Sequence, residues 1–389
     1  MKGIFLLTFR YLSHHKIKTT IMVTCLTITI VLPLSLHLMI DRYRYDLVSR
    51  AKTTPLVIGA KGNRYDLVTK TLYFTEHGPE PVTMSEVDYV NNTGRAFALP
   101  VHAGFTARNY PVVGTVLDYF EFRGLKIARG KLPARLGQAV LGAEVAAETG
   151  LGPGDTILTD QTNLYDLAAA YPLKMHVNGV LAPAGSPDDR AVFVDIKTAW
   201  VIEGIGHGHA NLAETDDPSS LLKKNGNEYV ASPAIEKYTE ITDENISSFH
   251  FHGDRSGFPV TAVIVLPCSE KSATILLGHY STTPDTQMLV PIRVIEDLMG
   301  IVFKAKKFFE ANFALVALAT VLFLVLVVML SLRIRRSEME TLFRIGCSRM
   351  TVFRLQVIEL LLVLGASVFI SSLVAVLLMC LAPDVVKVM

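Results

Sequence analysis

The residues in this chain best suited to chemistry are two histidine pairs, His207/His209 in GIGHGH and His250/His252 in HFH. In an extended strand, residues two apart point to one side, so each pair could offer two imidazoles to a single ion. Acidic residues lie close in sequence: Glu203, Glu214, Asp216 and Asp217 beside the first pair, Asp254 beside the second. Nitrogen and oxygen ligands of this kind suit zinc or another late transition metal of borderline hardness. The competing reading is that these are solvated side chains in polar loops.

Catalytic constellations are missing from the sequence. No GxxxxGK[ST] is present, so the chain does not cradle nucleotide phosphates in a P-loop. GAKGNR and GLGPGDT are glycine-rich but lack the lysine and hydroxyl ending, and GIGHGH departs from GxGxxG by one spacing. HExxH, GxSxG and CxxC do not occur. The expectation is a non-enzymatic chain with no cofactor of its own beyond the candidate zinc. A net charge of +1 argues against a nucleic-acid partner.

A second segment is built for contact rather than catalysis. RIRRSEMETLFRIGCSRM, Arg333 to Met350, places charge around a small apolar stripe of Met339, Leu342 and Phe343. As a helix-turn unit it would stop at Gly346, which tolerates the left-handed conformation, and restart with Ser348 capping the next helix. Such a unit forms a docking surface for a partner.

The elements around these residues are set by hydropathy. Mean hydropathy of +0.37 exceeds what a soluble domain needs, and the excess sits in three runs. Each is about 20 residues long, enough to cross roughly 30 Å of hydrocarbon as a helix. Arg10, Lys16 and Lys18 precede the first run, and Arg333, Arg335, Arg336, Arg344, Arg349 and Arg354 crowd the segment between the second and third. Both flanks therefore belong inside, with the large middle outside.

The expected organisation starts with an amphipathic cytoplasmic helix over 1–18, whose basic residues can meet anionic lipid. Spans follow at 19–40, 313–332 and 353–381. An α+β extracytoplasmic domain covers 41–294, a helical stalk 295–312, an inner loop 333–352 and a short outer tail 382–389. Of four cysteines, Cys268 alone falls in the outer domain, so its core must hold by packing. Short β-branched runs such as KMHVNGVLAP, RAVFVDI and VTAVIVLP predict strands. LGAEVAAETGLGPGDTI predicts a helix over Ala143 to Thr149, a glycine stop, a turn and a strand. From Val294 to Arg335 the pattern predicts one long helix, amphipathic and then uniformly apolar, with a break near Gly300 as the alternative. His207 to Ser220 and Asn225 to Glu244 look loop-rich.

In RRSEMETLFRIGCSRMTVFRLQVIELLL the chain resembles the FtsX/MacB-type permeases of ABC transporters, the mechanotransmission or type VII systems. Arg335, Arg336, Glu338, Leu342, Gly346, Ser348, Arg349 and Glu359 stand in the matching roles. FRYLSHHKIKTTIMVTCLTITI, LVIGAKGNRYDLV and VLGAEVAAETGLGPGDTI are similar to the family's first span, the segment just outside it and part of its periplasmic core domain.

The resemblance implies a multi-pass permease of a bacterial inner membrane, with its N-terminus in the cytoplasm. It implies a homodimer, or a pair with a paralogue, served by cytosolic ABC ATPase subunits that bind ATP and Mg²⁺. Glu338, Leu342, Phe343, Arg344, Gly346, Ser348 and Arg349 would form the ATPase-coupling helix, and a periplasmic binding or effector protein is a further partner. The family pattern has four spans and an inside C-terminus, whereas three spans are counted here, with only APDVVKVM after Leu381. Two readings need no such coupling, or narrow it: a membrane-anchored zinc-binding sensor or scaffold, and the permease of a metal- or haem-handling system.

Overall fold

A computed structural model describes residues 2–161, 172–209, 221–225, 228–231, 238–334, 344, 346 and 348–386. Ten α-helices are described: α1 Lys2–His14, α2 Lys16–Thr53, α3 Arg64–Tyr73, α4 Met84–Asn92, α5 Asp118–Arg123, α6 Ala143–Thr149, α7 Ile196–Ile202, α8 Glu270–Thr282, α9 Pro291–Ile334 and α10 Arg349–Val386. The chain divides into two compact units, Leu47–Leu298 and the combination of Met1–Asp46 with Met299–Met389.

Unit Leu47–Leu298 is α+β, organised around a ten-stranded mixed sheet. Its order runs Thr286–Leu289, Leu56–Ala60, Ala262–Pro267, Ala96–Ala107, Tyr110–Thr115, Val192–Asp195, Gln138–Leu141, Lys174–Leu181 and Ile127–Gly130. Thr156–Leu158 pairs off this path with Lys174–Leu181. Two pairings are parallel, Tyr110–Thr115 with Val192–Asp195 and Gln138–Leu141 with Lys174–Leu181.

The apolar runs that predict strands are explained by burial on both faces. Ile58, Val263 and Val265 point into one core with Met84 and Val87 of α4, Trp200 of α7 and Leu276 of α8. Their neighbours Val57, Ala262 and Ile264 point into another, with Leu67 of α3 and Tyr119 and Phe120 of α5. The two-residue strand period sends alternate side chains to opposite faces, and both faces are covered, so no polar alternation is left in the sequence. Asn63, Asp195 and Ser269 cap α3, α7 and α8 by accepting backbone N–H groups. Helix α6 ends at Gly150 with φ 71°, as its sequence predicts.

Among the described residues, three helices are long and apolar enough to cross a membrane: α2, α9 over Pro291–Leu330, and α10 over Phe353–Leu378. Helix α9 runs without a break through Gly300. Helices α2 and α10 meet at Met22, Leu26 and Val363, with Leu12, Leu324 and Val327 against them. Ser367 Oγ donates to the Val23 carbonyl and Ser371 Oγ to that of Thr27, each at 3.3 Å. Thr29 and Thr320 hydroxyls lie 3.0 Å apart.

Within the stretch from Asn225 to Glu244, Glu228–Ala231 pairs antiparallel with Leu221–Asn225. Glu359 of α10 pairs with Lys18 of α2 at 3.2 Å.

Candidate functional site

The two histidine pairs form one site. Gly206–His207 and His250–Phe251 pair as an antiparallel ribbon, with His207 directly opposite His250. That register puts all four imidazoles on the same face of the ribbon. His207 lies with its ring centroid 5.8, 4.8 and 4.9 Å from those of His209, His250 and His252. His250 lies 5.1 and 4.8 Å from His209 and His252. His207 and His250 are thus the shared centre, and His209 and His252 are the two diagonal corners. Ligand nitrogens of His207, His209 and His250 all fall within 4.8 Å of one another.

The opposite face of the ribbon explains why the histidines face outward. Gly206 and Gly208 alternate with the histidines on one strand, Phe249 and Phe251 on the other. A Cβ on Gly206 would lie 2.5 Å from the Phe251 ring, and one on Gly208 would lie 2.6 Å from that of Phe249. The rings therefore lie directly over bare backbone. Phe251 also meets Trp200, at 6.4 Å between ring centroids, and Phe258, at 6.1 Å. Aromatic packing on one side fixes which side the imidazoles occupy.

The tautomer of His250 follows from its hydrogen bond. Its Nδ1 lies 3.0 Å from the Ser248 carbonyl oxygen, which can only accept. Neutral His250 must carry its proton on Nδ1, leaving the Nε2 lone pair for a ligand. The two described acids nearby have other neighbours. Glu203 pairs with His102 at 3.2 Å, and Asp254 accepts from Ser256 Oγ at 2.6 Å. Glu214, Asp216 and Asp217 lie outside the described residues. Among the described residues the ligand set is nitrogen only, where the sequence had suggested nitrogen with oxygen.

A second constellation was missed by sequence reasoning. Arg50, in the last turn of α2, is buried in unit Leu47–Leu298, and its Nη2 donates to Asp188 Oδ1 and to Tyr119 Oη, each at 2.9 Å. Tyr119 Oη and Ser186 Oγ also donate to Asp188, each at 2.9 Å. Burial alone would push the Asp188 carboxyl up; the Arg50 charge and the donated hydrogen bonds outweigh it and hold the carboxyl below its usual range. Burial pushes the Tyr119 phenol up to about 12, against the pull of Arg50. No local pattern marks these residues, because Arg50 and Asp188 are brought together only by the folded sheet.

The N-terminal end of α9 is anchored in the same unit. Val294 and Ile295 are buried, and Asp297 pairs with Arg64 at 3.1 Å.

Of the residues expected to form the coupling helix, Glu338, Leu342 and Phe343 lie outside the described residues. Gly346 takes φ 98°, and Ser348 Oγ accepts from the Thr351 N–H at 3.2 Å. Helix α10 begins at Arg349. Arg344, Gly346 and Ser348 are exposed.

Residues 53–223 match the family model of the MacB-like periplasmic core domain. That match bears out the resemblance to FtsX/MacB-type permeases. Among solved structures, the periplasmic region of MacB from Actinobacillus actinomycetemcomitans is similar, with 12% identity and a TM-score of 0.36, covering 64% of this chain and 95% of that one. The extracellular domain of the noncanonic ABC-type transporter YknZ from Gram-positive bacteria shows 10% identity and a TM-score of 0.33, covering 60% of this chain and 98% of that one. No curated protein matches the chain.

Proposed function

From a chain that carries a MacB-like periplasmic core domain over 53–223, we propose a non-catalytic membrane subunit of an ABC transporter. Separate cytosolic ATPases hydrolyse ATP, and this chain converts their movement into conformational work at the extracytoplasmic side. The single observation that carries this reading is the core-domain match, in a chain whose described residues include three helices apolar enough to span a bilayer.

The anchoring of two helix ends supports a mechanical role. The last turn of α2 is held by the buried Arg50–Asp188 pair, and the first turns of α9 by buried Val294 and Ile295. Both anchors are made by buried side chains within unit Leu47–Leu298. On the cytoplasmic side, the segment around Arg344, Gly346, Ser348 and Arg349 is the coupling helix, docking on the ATPase with Glu338, Leu342 and Phe343. A second permease copy, or a paralogue, completes a two-fold assembly matching two ATPases.

The test is purification of the tagged chain from native inner membranes. A cytosolic ABC ATPase is expected to co-purify, and to be lost from an Arg344→Glu/Arg349→Glu variant inserted at normal levels. Native particles free of any ATPase would overturn the reading.

A further inference from the structure

We propose that His207, His209, His250 and His252 form a binding site for one late first-row divalent transition metal, with zinc as the reference ion. This stands apart from the transporter reading and does not depend on it.

Four observations converge. The register of the ribbon brings two pairs, far apart in sequence, onto one face with His207 opposite His250. Three ligand nitrogens already lie within 4.8 Å of one another, and the His252 ring lies 4.9 Å from His207 and 4.8 Å from His250. Tetrahedral ligands about 2.0–2.1 Å from zinc sit about 3.4 Å apart, so binding would draw these nitrogens closer together. The Ser248 carbonyl holds His250 in the tautomer whose Nε2 can coordinate. It is the kind of outer contact that orients metal-binding histidines.

Phe249 and Phe251 over Gly208 and Gly206 supply the rigid backing. A site built on paired strands, with its back face packed, keeps its ligands in place before the ion arrives.

The chemistry of the donors selects the ion. Imidazole suits Zn²⁺, Ni²⁺, Cu²⁺ and Co²⁺, whereas Mg²⁺ and Ca²⁺ require oxygen ligands. Glu203 Oε2 lies 3.2 Å from His102 Nε2 and Asp254 accepts from Ser256, so among the described residues no carboxylate joins the histidine cluster to give the oxygen set that hard cations need. His207, His209 and His250 are half-buried and His252 is exposed. The site is therefore open to exchange with solvent, as a sensing or cargo-handling site requires. Binding would also tie Gly206–His209 to His250–His252 across a long excursion of chain, where a clip removes loop-closure entropy.

The geometry makes an internal prediction. The rings of His207 and His250 each meet those of all three other histidines, whereas the contacts of His209 and His252 within the cluster are with those two. Loss of either central residue should harm binding more than loss of either corner.

The experiment titrates Zn²⁺ alone into the full-length protein in detergent, followed by calorimetry, with Co²⁺ visible absorption reporting coordination geometry. One equivalent of zinc should bind, and Co²⁺ should give the strong bands of a four-coordinate nitrogen site. His207→Ala/His250→Ala should abolish this binding. His209→Ala and His252→Ala should each weaken it by at least about tenfold, while His77→Ala leaves it unchanged. Trp200, the single tryptophan, packs against Phe251 behind the ribbon, so an unshifted emission maximum certifies each variant as folded. Should the double variant unfold, the two corner variants carry the test. Absence of wild-type zinc binding would overturn the proposal, as would equal binding by the folded double variant or by both corner variants.

Discussion

Arg50 and Asp188 meet as a two-pronged ion pair inside the sheet unit, 138 residues apart in sequence, with Nη2 2.9 Å from Oδ1. Both side chains are almost fully buried. A charge in that environment is tolerable only while its partner remains. Asp188→Asn or Arg50→Met should therefore each destabilise the unit by about 3–5 kcal/mol. Joint replacement by apolar residues of similar volume should recover most of that loss. Trp200 emission during denaturant unfolding is the readout. Equal losses for the single and joint variants would show that packing, and not the charge pair, dominates there.

The same pair gives stability a dependence on acid. The Asp188 carboxyl titrates lower in the folded chain than in the unfolded one, where it takes its ordinary value of about 3.9. The folded form then binds fewer protons at mildly acidic pH, so the contribution is complete well above pH ~4. It is lost as pH falls below that and on through the depressed folded value. Wild type should lose stability on acidification in this window. Asp188→Asn, less stable at neutral pH, should show a flatter profile there. Parallel profiles would remove Asp188 from the acid response.

Gly142 predicts a steric effect that reaches the same carboxylate. A Cβ on it would lie 2.3 Å from the Asp189 carbonyl oxygen and 2.4 Å from that of Asp188. Backbone cannot rotate away as a side chain can, so Gly142→Ala must displace the turn that carries Asp188. A loss of about 1–3 kcal/mol is expected, the usual range for overpacking. Gly150 offers the contrast, since it has φ 71° but open space around it. Gly150→Ala should cost only about 1 kcal/mol, through backbone conformation alone. Equal costs by thermal or chemical unfolding would refute the distinction.

Cys268 tests sidedness. It is exposed in the sheet unit, which the basic flanks of the apolar runs assign to the outside. A membrane-impermeant maleimide added to intact spheroplasts should label wild type and leave Cys268→Ser unlabelled. Labelling of Cys268 only after lysis would invert the topology, and with it the assignment of the inner segment to the cytoplasm.

Local signals were legible and long-range ones were not. The limits of α6 and its Gly150 stop could be read because propensity and a left-handed glycine act within one turn of chain. Apolar runs such as Ala262–Pro267 announced strands, but their partners did not show, since register depends on segments far away. The histidines illustrate the boundary. Spacing two apart already implied that each pair shares a face, yet nothing in either pair says that His207 will stand opposite His250. Alternating Gly206/Gly208 and Phe249/Phe251 was the available clue, because bare backbone on one strand fits rings on another. Lys18 was likewise invisible as the partner of Glu359, for it lies on another helix.

Gly346 and Ser348 make the last prediction, one about coupling rather than stability. Gly346 holds φ 98°, a conformation that side-chain-bearing residues rarely adopt. Two residues on, Ser348 Oγ receives the Thr351 N–H at 3.2 Å and so fixes where α10 begins. If this turn sets the angle at which the coupling helix meets an ATPase, Gly346→Val should reduce ATPase co-purification even when the chain is inserted at normal levels. Ser348→Ala, which removes a cap worth about 1 kcal/mol, should reduce it less, and Ser348→Thr should leave it intact. Full retention of the ATPase by Gly346→Val would mean that the turn is only a connector between two helices, and that the docking surface lies elsewhere on the cytoplasmic side.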